Sequence, residues 1–598
     1  MAKPNTCKRS RHRVMVLVST SVFIFLLVRV AYLQIDQGQK YSALSADEVT
    51  STLRVPALRG AIYSSDGRVL AMSIMRTSVI ADPLIIHHPV QEASILSKLL
   101  HTTESRLLGL LREHSGYVPI ATSLSQSLAD QIKSLYLPGL SFSQYPEVII
   151  PSGNIAEPVL GSVGWNNEGV SGLEYEYNSL LSGTSGVERL ATAPDGLVMP
   201  KGTSWIKRPK PGSGLVLTIN ESLQYYLDEA LSQEIMKSHA RSGTAIVMDP
   251  RTGDILAMSS LVSVPGSTPQ PSSLNLATDM VYEPGSIFKI ITFSGALEDH
   301  VITPNTTFIV PDHMMIDGSL FHDAWIHPTQ PMTATQIIAQ SSNIGTIKIA
   351  EALGKNRLAQ WISAFRLGKP TGLHFPGASP GIVLDPAKWS PTAIGSTPIG
   401  QDTGVTPLQM LDAMNVVANR GLFVYPRLVK AVVAPDGQVR PVQSRPPKRI
   451  VSQSIEAELA GMIEHVVSSP VGTGVHARIP GYVVAGKTGT SQIPSHTRPG
   501  YVPGAFMATF GGFVPAQDPR LSAIVVLDRP VPIYGGSVSA PVFAQVMQYA
   551  LRLFGIPPVS ASNTPAGTEV SQPPPLSPIT SPLAHPVALS VATPAARG

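Results

Sequence analysis

The stretch V-M-V-L-V-S-T-S-V-F-I-F-L-L-V-R-V-A-Y-L, Val14 to Leu33, constrains this chain more than any other feature. As a helix, about 20 apolar residues cover the hydrocarbon core of a bilayer. Arg29 is its one charge and stands near one end, where a long side chain can snorkel to the interface. Tyr32 lies close by, as interfacial aromatics do. Lys3, Lys8, Arg9, Arg11 and Arg13 precede the segment, and no acidic residue does. The positive-inside rule then keeps the N-terminus in the cytoplasm and sends everything after residue 33 outside. A cleaved signal peptide is the competing reading, but the small residues A-L-S-A at Ala43 to Ala46 lie too far past the apolar run. No second run of comparable length follows. The expectation is a single-pass inner-membrane protein with a cytoplasmic tip (1–13), an anchor (14–33) and a large outer part.

That outer part must build its own core. The chain has 598 residues, which favours several domains, and 43% of them are hydrophobic. Aromatic residues at 6% and charged residues at 14% exclude a coiled coil or an acidic disordered chain. The net charge of +4 is no nucleic-acid signature, because its densest cluster, Lys8 to Arg13, is already assigned to the membrane tip. The one cysteine, Cys7, cannot form an internal disulfide and sits where neither a zinc site nor a catalytic thiol is expected.

Two textures divide the outer part. Residues 34–215 mix short apolar stretches with turns; R-G-A-I-Y-S-S-D-G-R-V-L-A, Arg59 to Ala71, predicts two strands around an Asp66-Gly67 turn. Pro200 to Gly214, rich in Pro, Gly and Lys, reads as a linker or extended connection. From 216 to 556 the pattern becomes mixed α/β with an antiparallel sheet. A helix is expected over Leu223 to Met236, and two strands joined at Asp249 to Asp254 follow within Thr244 to Met258. A buried strand is expected at Leu521 to Leu527, and a helix over Pro541 to Leu551 with the proline in its first turn. The Pro/Ser/Thr-rich tail, 557–598, reads as a disordered extension.

Three short motifs carry the chemistry. In E-P-G-S-I-F-K, Glu283 to Lys289, Ser286 and Lys289 share one face of a first helical turn. Free N–H groups there favour developing negative charge, and a desolvated lysine can act as a neutral base. In Q-S-S-N-I-G, Ser341 can relay a proton and Asn343 can hold a carbonyl or the lysine. In V-V-A-G-K-T-G-T-S, Lys487 supplies charge, Gly489 lets a substrate approach the backbone, and Thr488 or Thr490 can bind a carboxylate. Each motif is cheap alone: Ser204 and Lys207 repeat S-x-x-K, and Ser152-Gly153-Asn154 and Ser273-Leu274-Asn275 repeat S-x-N. The prolines at 209 and 211 deny the Ser204 copy a helix. His322-Asp323 and His327 lack a third ligand for a metal and read as a loop near the active-site domain.

Taken in order, S-x-x-K, S-x-N and K-T-G form a set that resembles the penicillin-binding proteins and serine β-lactamases. The resemblance extends to A-T-D-M-V-Y-E-P-G-S-I-F-K, to G-Q-D-T-G-V-T-P-L-Q-M at 400–410 and to Y-G-G-S-V-S-A-P-V-F at 534–543. Upstream, R-G-A-I-Y-S-S-D-G-R-V-L-A and S-G-L-E-Y-E-Y at 171–177 resemble the family's pedestal, with Ser64-Ser65 where Asp-Arg is usual. The fold implied is an α/β (α+β) transpeptidase domain, an antiparallel sheet flanked by helices, behind a membrane helix and an elongated pedestal. The acidic pattern of a glycosyltransferase domain is absent, so the chain resembles the monofunctional class B. Glu283-Pro284-Gly285, Ser342-Asn343 and Tyr534-Gly535-Gly536 are similar to the FtsI-like division type and its sporulation relatives, with an elongation or sporulation class B transpeptidase as the alternative.

The resemblance implies a D,D-transpeptidase without cofactor or metal. Ser286, deprotonated by Lys289, would attack the penultimate D-alanine of a peptidoglycan stem peptide ending in D-Ala-D-Ala. Ser341 and its neighbours would protonate the leaving D-alanine, and an amine of a second stem peptide would take the acyl group. The N–H groups of Ser286 and Thr490 would form the oxyanion hole. Lys487, Thr488 and Thr490 would bind the carboxylate of substrate or β-lactam. The implied partners are a polytopic FtsW-like glycan polymerase and division proteins. A soluble β-lactamase or carboxypeptidase would be shorter and lack the pedestal; an idle divisome scaffold would have lost one of Ser286, Lys289 or Lys487.

Overall fold

The computed structural model describes residues 6–37, 50–191, 204–495, 497 and 499–558. The tail beyond 558 lies outside them. The apolar run forms a helix, Thr6–Ala31, that continues through a π-helical turn, Tyr32–Asp36. Its 25-residue stretch Arg11–Ile35 is long and apolar enough to cross a membrane, and among the described residues nothing buries it. Thr20 Oγ1 donates back to Val16 O (2.8 Å), so its hydroxyl is satisfied within the helix.

The pedestal centres on the long strand Val69–Ala81, which pairs with Leu140–Ile149, Val118–Leu124 and the short strand Ile62–Tyr63. The expected turn is there: Gly67 has φ +83° and donates to Ser64 O at 3.1 Å. Ser64, one of the residues departing from the family pattern, is buried. Its Oγ donates to Asp66 Oδ1 (2.6 Å) and accepts from Arg68 N (3.0 Å), so the hydroxyl closes the turn.

Of the linker or extended connection expected over Pro200 to Gly214, residues 200–203 lie outside the described residues, and the part that follows is extended but paired. Ser204–Lys207 is a strand, paired with Gly186–Ala191, which pairs in turn with Thr50–Val55. The surrounding prolines limit it to a sheet edge, where a missing N–H costs no ladder bond. In an extended segment a spacing of three does not bring residues to one face, which disposes of the Ser204 copy of S-x-x-K more firmly than the absence of a helix. The strand Gly214–Leu217 crosses the expected boundary at 215. It runs parallel to Ile62–Tyr63 on one side and antiparallel to Val429–Val433 on the other. One sheet therefore passes from the pedestal into the following unit.

That unit is built on a six-stranded sheet. In spatial order its strands are Gln270–Pro271, Ile255–Val262, Ser242–Met248, Leu521–Asp528, Tyr501–Val514 and Ala485–Pro494, all antiparallel. Against one face lie the helices Glu221–Ser238 and Gly535–Leu553, sharing a core of Leu227, Leu231, Phe543 and Met547 with Tyr226 stacked on Tyr549 at 4.1 Å. Asn220 starts the first of these helices by accepting from Leu223 N at 3.0 Å. Pro541 stands inside the second helix, six places beyond its start, and not in its first turn. On the other face lie the buried helices Lys289–Glu298 and Pro407–Ala418, apolar round most of their circumference. In Lys289–Glu298, Ile290, Ile291, Phe293 and Ala296 are all 0% exposed.

The two pedestal blocks singled out in the sequence meet, 115 residues apart, in a buried ion pair. Arg59 Nε and Nη2 donate to Glu174 Oε2 at 2.8 and 2.5 Å, and Arg59 Nη1 donates to Asn178 Oδ1 (2.8 Å) and Asn167 O (2.7 Å). The side chains are 0% and 2% exposed. Removing one partner leaves a buried charge alone, at a cost of about 3–5 kcal/mol. Arg59→Ala is therefore expected to lower the denaturant midpoint of the pedestal well before that of the catalytic unit. Equal midpoints in native and variant chains would contradict the role given to this pair.

Candidate active site

The turn before Ser286 depends on glycine. Gly285 has φ +60°, in the left-handed region, and donates to Gly400 O at 3.0 Å. A Cβ there would stand 2.8 Å from Thr490 O, on the strand that carries the third motif. From Gly285 the chain enters a 3-10 turn, Gly285–Phe288, and only then the α-helix Lys289–Glu298. The expected first α-turn is thus tighter, and in a 3-10 turn residues i and i+3 eclipse. Ser286 and Lys289 lie one above the other, with Ser286 half-buried and Lys289 wholly buried.

The second motif turns between the helices Ala334–Ala339 and Asn343–Leu353. Ser341 takes φ +60°, which costs a non-glycine residue on the order of 1–3 kcal/mol. That conformation offers both its carbonyl and its hydroxyl to Lys289. Lys289 Nζ donates to Ser341 O (2.7 Å), Asn343 Oδ1 (2.9 Å) and Ser341 Oγ (3.3 Å).

The third motif lies on Ala485–Pro494, the end strand of the sheet. Lys487 is 0% exposed, and its Nζ donates to the same Ser341 Oγ at 2.8 Å and to Thr488 O at 3.1 Å. Two buried lysine amines therefore converge on one hydroxyl. Burial pushes Lys289 down to about 7, against the pull of Asp323 in the opposite direction. Burial, and then the charge of Lys289, push Lys487 well below the ordinary lysine range. Thr488 Oγ1 bonds Thr473 Oγ1 (2.7 Å), and Thr490 Oγ1 accepts from Gly535 N at 3.4 Å.

Gly489 has a different occupant from the expected one. Its Cβ position lies 2.7 Å from Pro284 O, so glycine here seats the turn of Ser286 itself against the strand. Gly535 is bound in the same way: its Cβ would stand 2.5 Å from Gly489 O. The blocks at 283–289, 400–404, 487–491 and 534–536 are thus packed through their glycines.

Three further residues shape the site. Glu283 ties three segments together: its Oε1 accepts from Asp402 N (3.1 Å), its Oε2 from Tyr501 Oη (3.0 Å), and its carbonyl from Ser491 Oγ. Thr473, outside any motif, completes the hydroxyl pair with Thr488. Asp323 is the largest revision, since its neighbourhood read as a bland loop. It is buried, and its carboxylate accepts from the backbone N–H groups of Asn343 and Ile344, from Ser342 Oγ (2.8 Å) and from His327 Nε2 (3.0 Å). It therefore anchors the start of the helix that carries Asn343, where a negative charge is favoured. The signal available in sequence was a carboxylate flanked by two histidines upstream of S-x-N; its use as a backbone anchor is a tertiary fact.

Comparison with known proteins bears on the family and the fold. The penicillin binding protein transpeptidase domain family matches residues 243–548, and the penicillin-binding protein dimerisation domain family matches residues 54–217. Stage V sporulation protein D of Bacillus subtilis is 29% identical over 93% of this chain and 88% of its own length. Peptidoglycan D,D-transpeptidase FtsI of Escherichia coli K12 is 29% identical over 89% of this chain and 90% of its own length. Among solved structures, penicillin binding protein 3 of Mycobacterium tuberculosis complexed with aztreonam has a TM-score of 0.67 at 27% identity, covering 85% of this chain and 98% of that one. With one family matched over about half its length and the other directly upstream, the chain belongs to the class B penicillin-binding proteins and is a peptidoglycan D,D-transpeptidase.

Proposed function

We propose that Ser286 is the nucleophile and Lys289 its base. The supporting observation is the convergence of Lys289 and Lys487 on Ser341 Oγ, one 3-10 turn from Ser286. Neutral Lys289 takes the Ser286 proton as Oγ attacks the carbonyl of the penultimate D-alanine. The N–H groups of Ser286 and Thr490 receive the oxyanion. The tetrahedral intermediate expels the terminal D-alanine, whose nitrogen takes a proton delivered through Ser341. The amine of a second stem peptide then attacks the ester, loses its proton to the same relay and restores Ser286. Asn343 orients Lys289. Lys487, Thr488 and Thr490 hold the carboxylate of the donor peptide, with Gly489 keeping the strand against the Ser286 turn. A β-lactam enters the same cycle and stops at the ester, as the aztreonam complex of the mycobacterial relative suggests for this chain.

The same reading orients the protein, with residues 1–13 in the cytoplasm, 14–33 as anchor, 34–215 as pedestal and 216–556 as transpeptidase outside. The role in septal wall synthesis, alongside an FtsW-like polymerase, is supported by Glu283-Pro284-Gly285, Ser342-Asn343 and Tyr534-Gly535-Gly536. Sporulation is the second reading, supported by the likeness to stage V sporulation protein D.

Three measurements test this. A fluorescent penicillin should acylate the full chain; Ser286→Ala should abolish labelling, and Lys289→Ala should slow it roughly 10²–10⁴-fold. Labelling of Ser286→Ala at the native rate would refute the assignment. Acylation should also fall as pH drops through about 7, because a protonated Lys289 has no lone pair to accept the serine proton. Since the lysines interact, the acid limb belongs to the pair. A rate flat from pH 5.5 to 8.5 would exclude Lys289 as base. A fluorescent fusion should gather at division sites of growing cells; lateral-wall signal, or expression confined to sporulating cells, would overturn the division role.

A further inference from the structure

His327 is buried among oxygen acceptors. Its Nε2 lies 3.0 Å from Asp323 Oδ2 and its Nδ1 lies 2.9 Å from Pro328 O. A neutral imidazole carries one N–H, so one of these contacts would set a lone pair against an oxygen. The imidazolium donates to both. Gln330 Nε2 stands farther from Nδ1, at 3.3 Å, and could serve only the neutral ring. Burial opposes the charge, but the Asp323 and Pro328 bonds outweigh it, and Asp312 adds to them, so the ring holds its proton above its ordinary 6.5.

The group it faces anchors the catalytic motif. Asp323 holds the backbone of Asn343 and Ile344 and the Ser342 hydroxyl, and its charge is felt by Lys289. The other ionisable groups around the pair are accounted for. Asp312 bonds His313 (2.7 Å), His322 Nδ1 faces Asp323 O (2.8 Å), and on the strand side the charge of Lys289 acts on Lys487. His327 is thus the one cation, among the described residues, bonded to the Asp323 carboxylate.

We propose that His327, as an imidazolium paired with Asp323, is a positioning residue that sets the working pH of the transpeptidase: its charge screens Asp323 from Lys289 while its N–H fixes the carboxylate that anchors the Ser341–Asn343 turn. The proposal rests on the reading of Lys289 as base. With the imidazolium in place, Lys289 faces a compensated pair and loses its proton readily. Without that charge the bare carboxylate holds the lysine proton, and less base is available near neutrality.

The test is the pH dependence of acylation by a fluorescent penicillin, using the full chain in detergent. His327→Gln keeps a donor toward Asp323 but no charge, and should move the acid limb to higher pH. A displacement of about half a unit to one unit cuts the rate below the limb roughly three- to tenfold and leaves the alkaline plateau nearly unchanged. Asp323→Asn should move the limb the other way. A purely structural role would lower both variants at every pH without moving either limb, and that result overturns the proposal. If His327→Gln does not fold, His327→Asn decides: displacement of the limb to higher pH supports the proposal and an unmoved limb refutes it. A native profile with no acid limb would instead refute Lys289 as base.

Discussion

The site depends on holding two lysines, both 0% exposed, against one serine hydroxyl. Burying an ammonium is costly unless it is paired or gives up its proton. Here the pairing is thin: a carbonyl, an amide oxygen and a shared hydroxyl meet Lys289. The structure therefore favours the neutral amine, which is the state a base needs. Everything around the lysines serves to keep water out and the hydroxyl in place. The apolar helix Lys289–Glu298 supplies the dry wall, and the left-handed Ser341 supplies the turn. Asp323 stops that turn from unwinding.

Much of this could be read in the sequence because the chemistry is encoded locally. Ser286 and Lys289 stand three apart, and Ser341 and Asn343 flank a helix start. Lys487 to Thr490 lie on one strand, so each group is a short pattern whose order along the chain is visible. The missing parts were of another kind. Apart from His327, four places from Asp323, the partners of Asp323, Thr473 and the Glu283 clamp lie 15 to 218 positions away, and no local period reports such pairings. The pairing within the Pro200 to Gly214 stretch was hidden for a different reason. Its prolines and glycines are turn signals, yet proline is compatible with an edge strand, and the pairing with Gly186–Ala191 overrides composition. Pro541 likewise tolerates the interior of a helix that is held by packing on both sides of it.

The glycines show why the motif blocks travel together. Gly285, Gly489 and Gly535 each occupy a place where a Cβ would meet backbone of another block at 2.8 Å or less. Their packing is backbone against backbone, which tolerates no side chain and little displacement. A motif of this kind carries two constraints at once: reactive groups at fixed spacing, and a spacer small enough for the blocks to close on one another.

The strand Gly214–Leu217 has a mechanical consequence. Its neighbours on either side belong to the pedestal and to the catalytic unit, so it works as a keel joining the two. A hinge at this level would have to shear ladder hydrogen bonds in both directions, whereas a loop connection would swing freely. A tilt imposed on the pedestal is then carried through the ladder to Val429–Val433, which stands in a different sheet from the one that bears Lys487. Four residues thus carry the load between the two units.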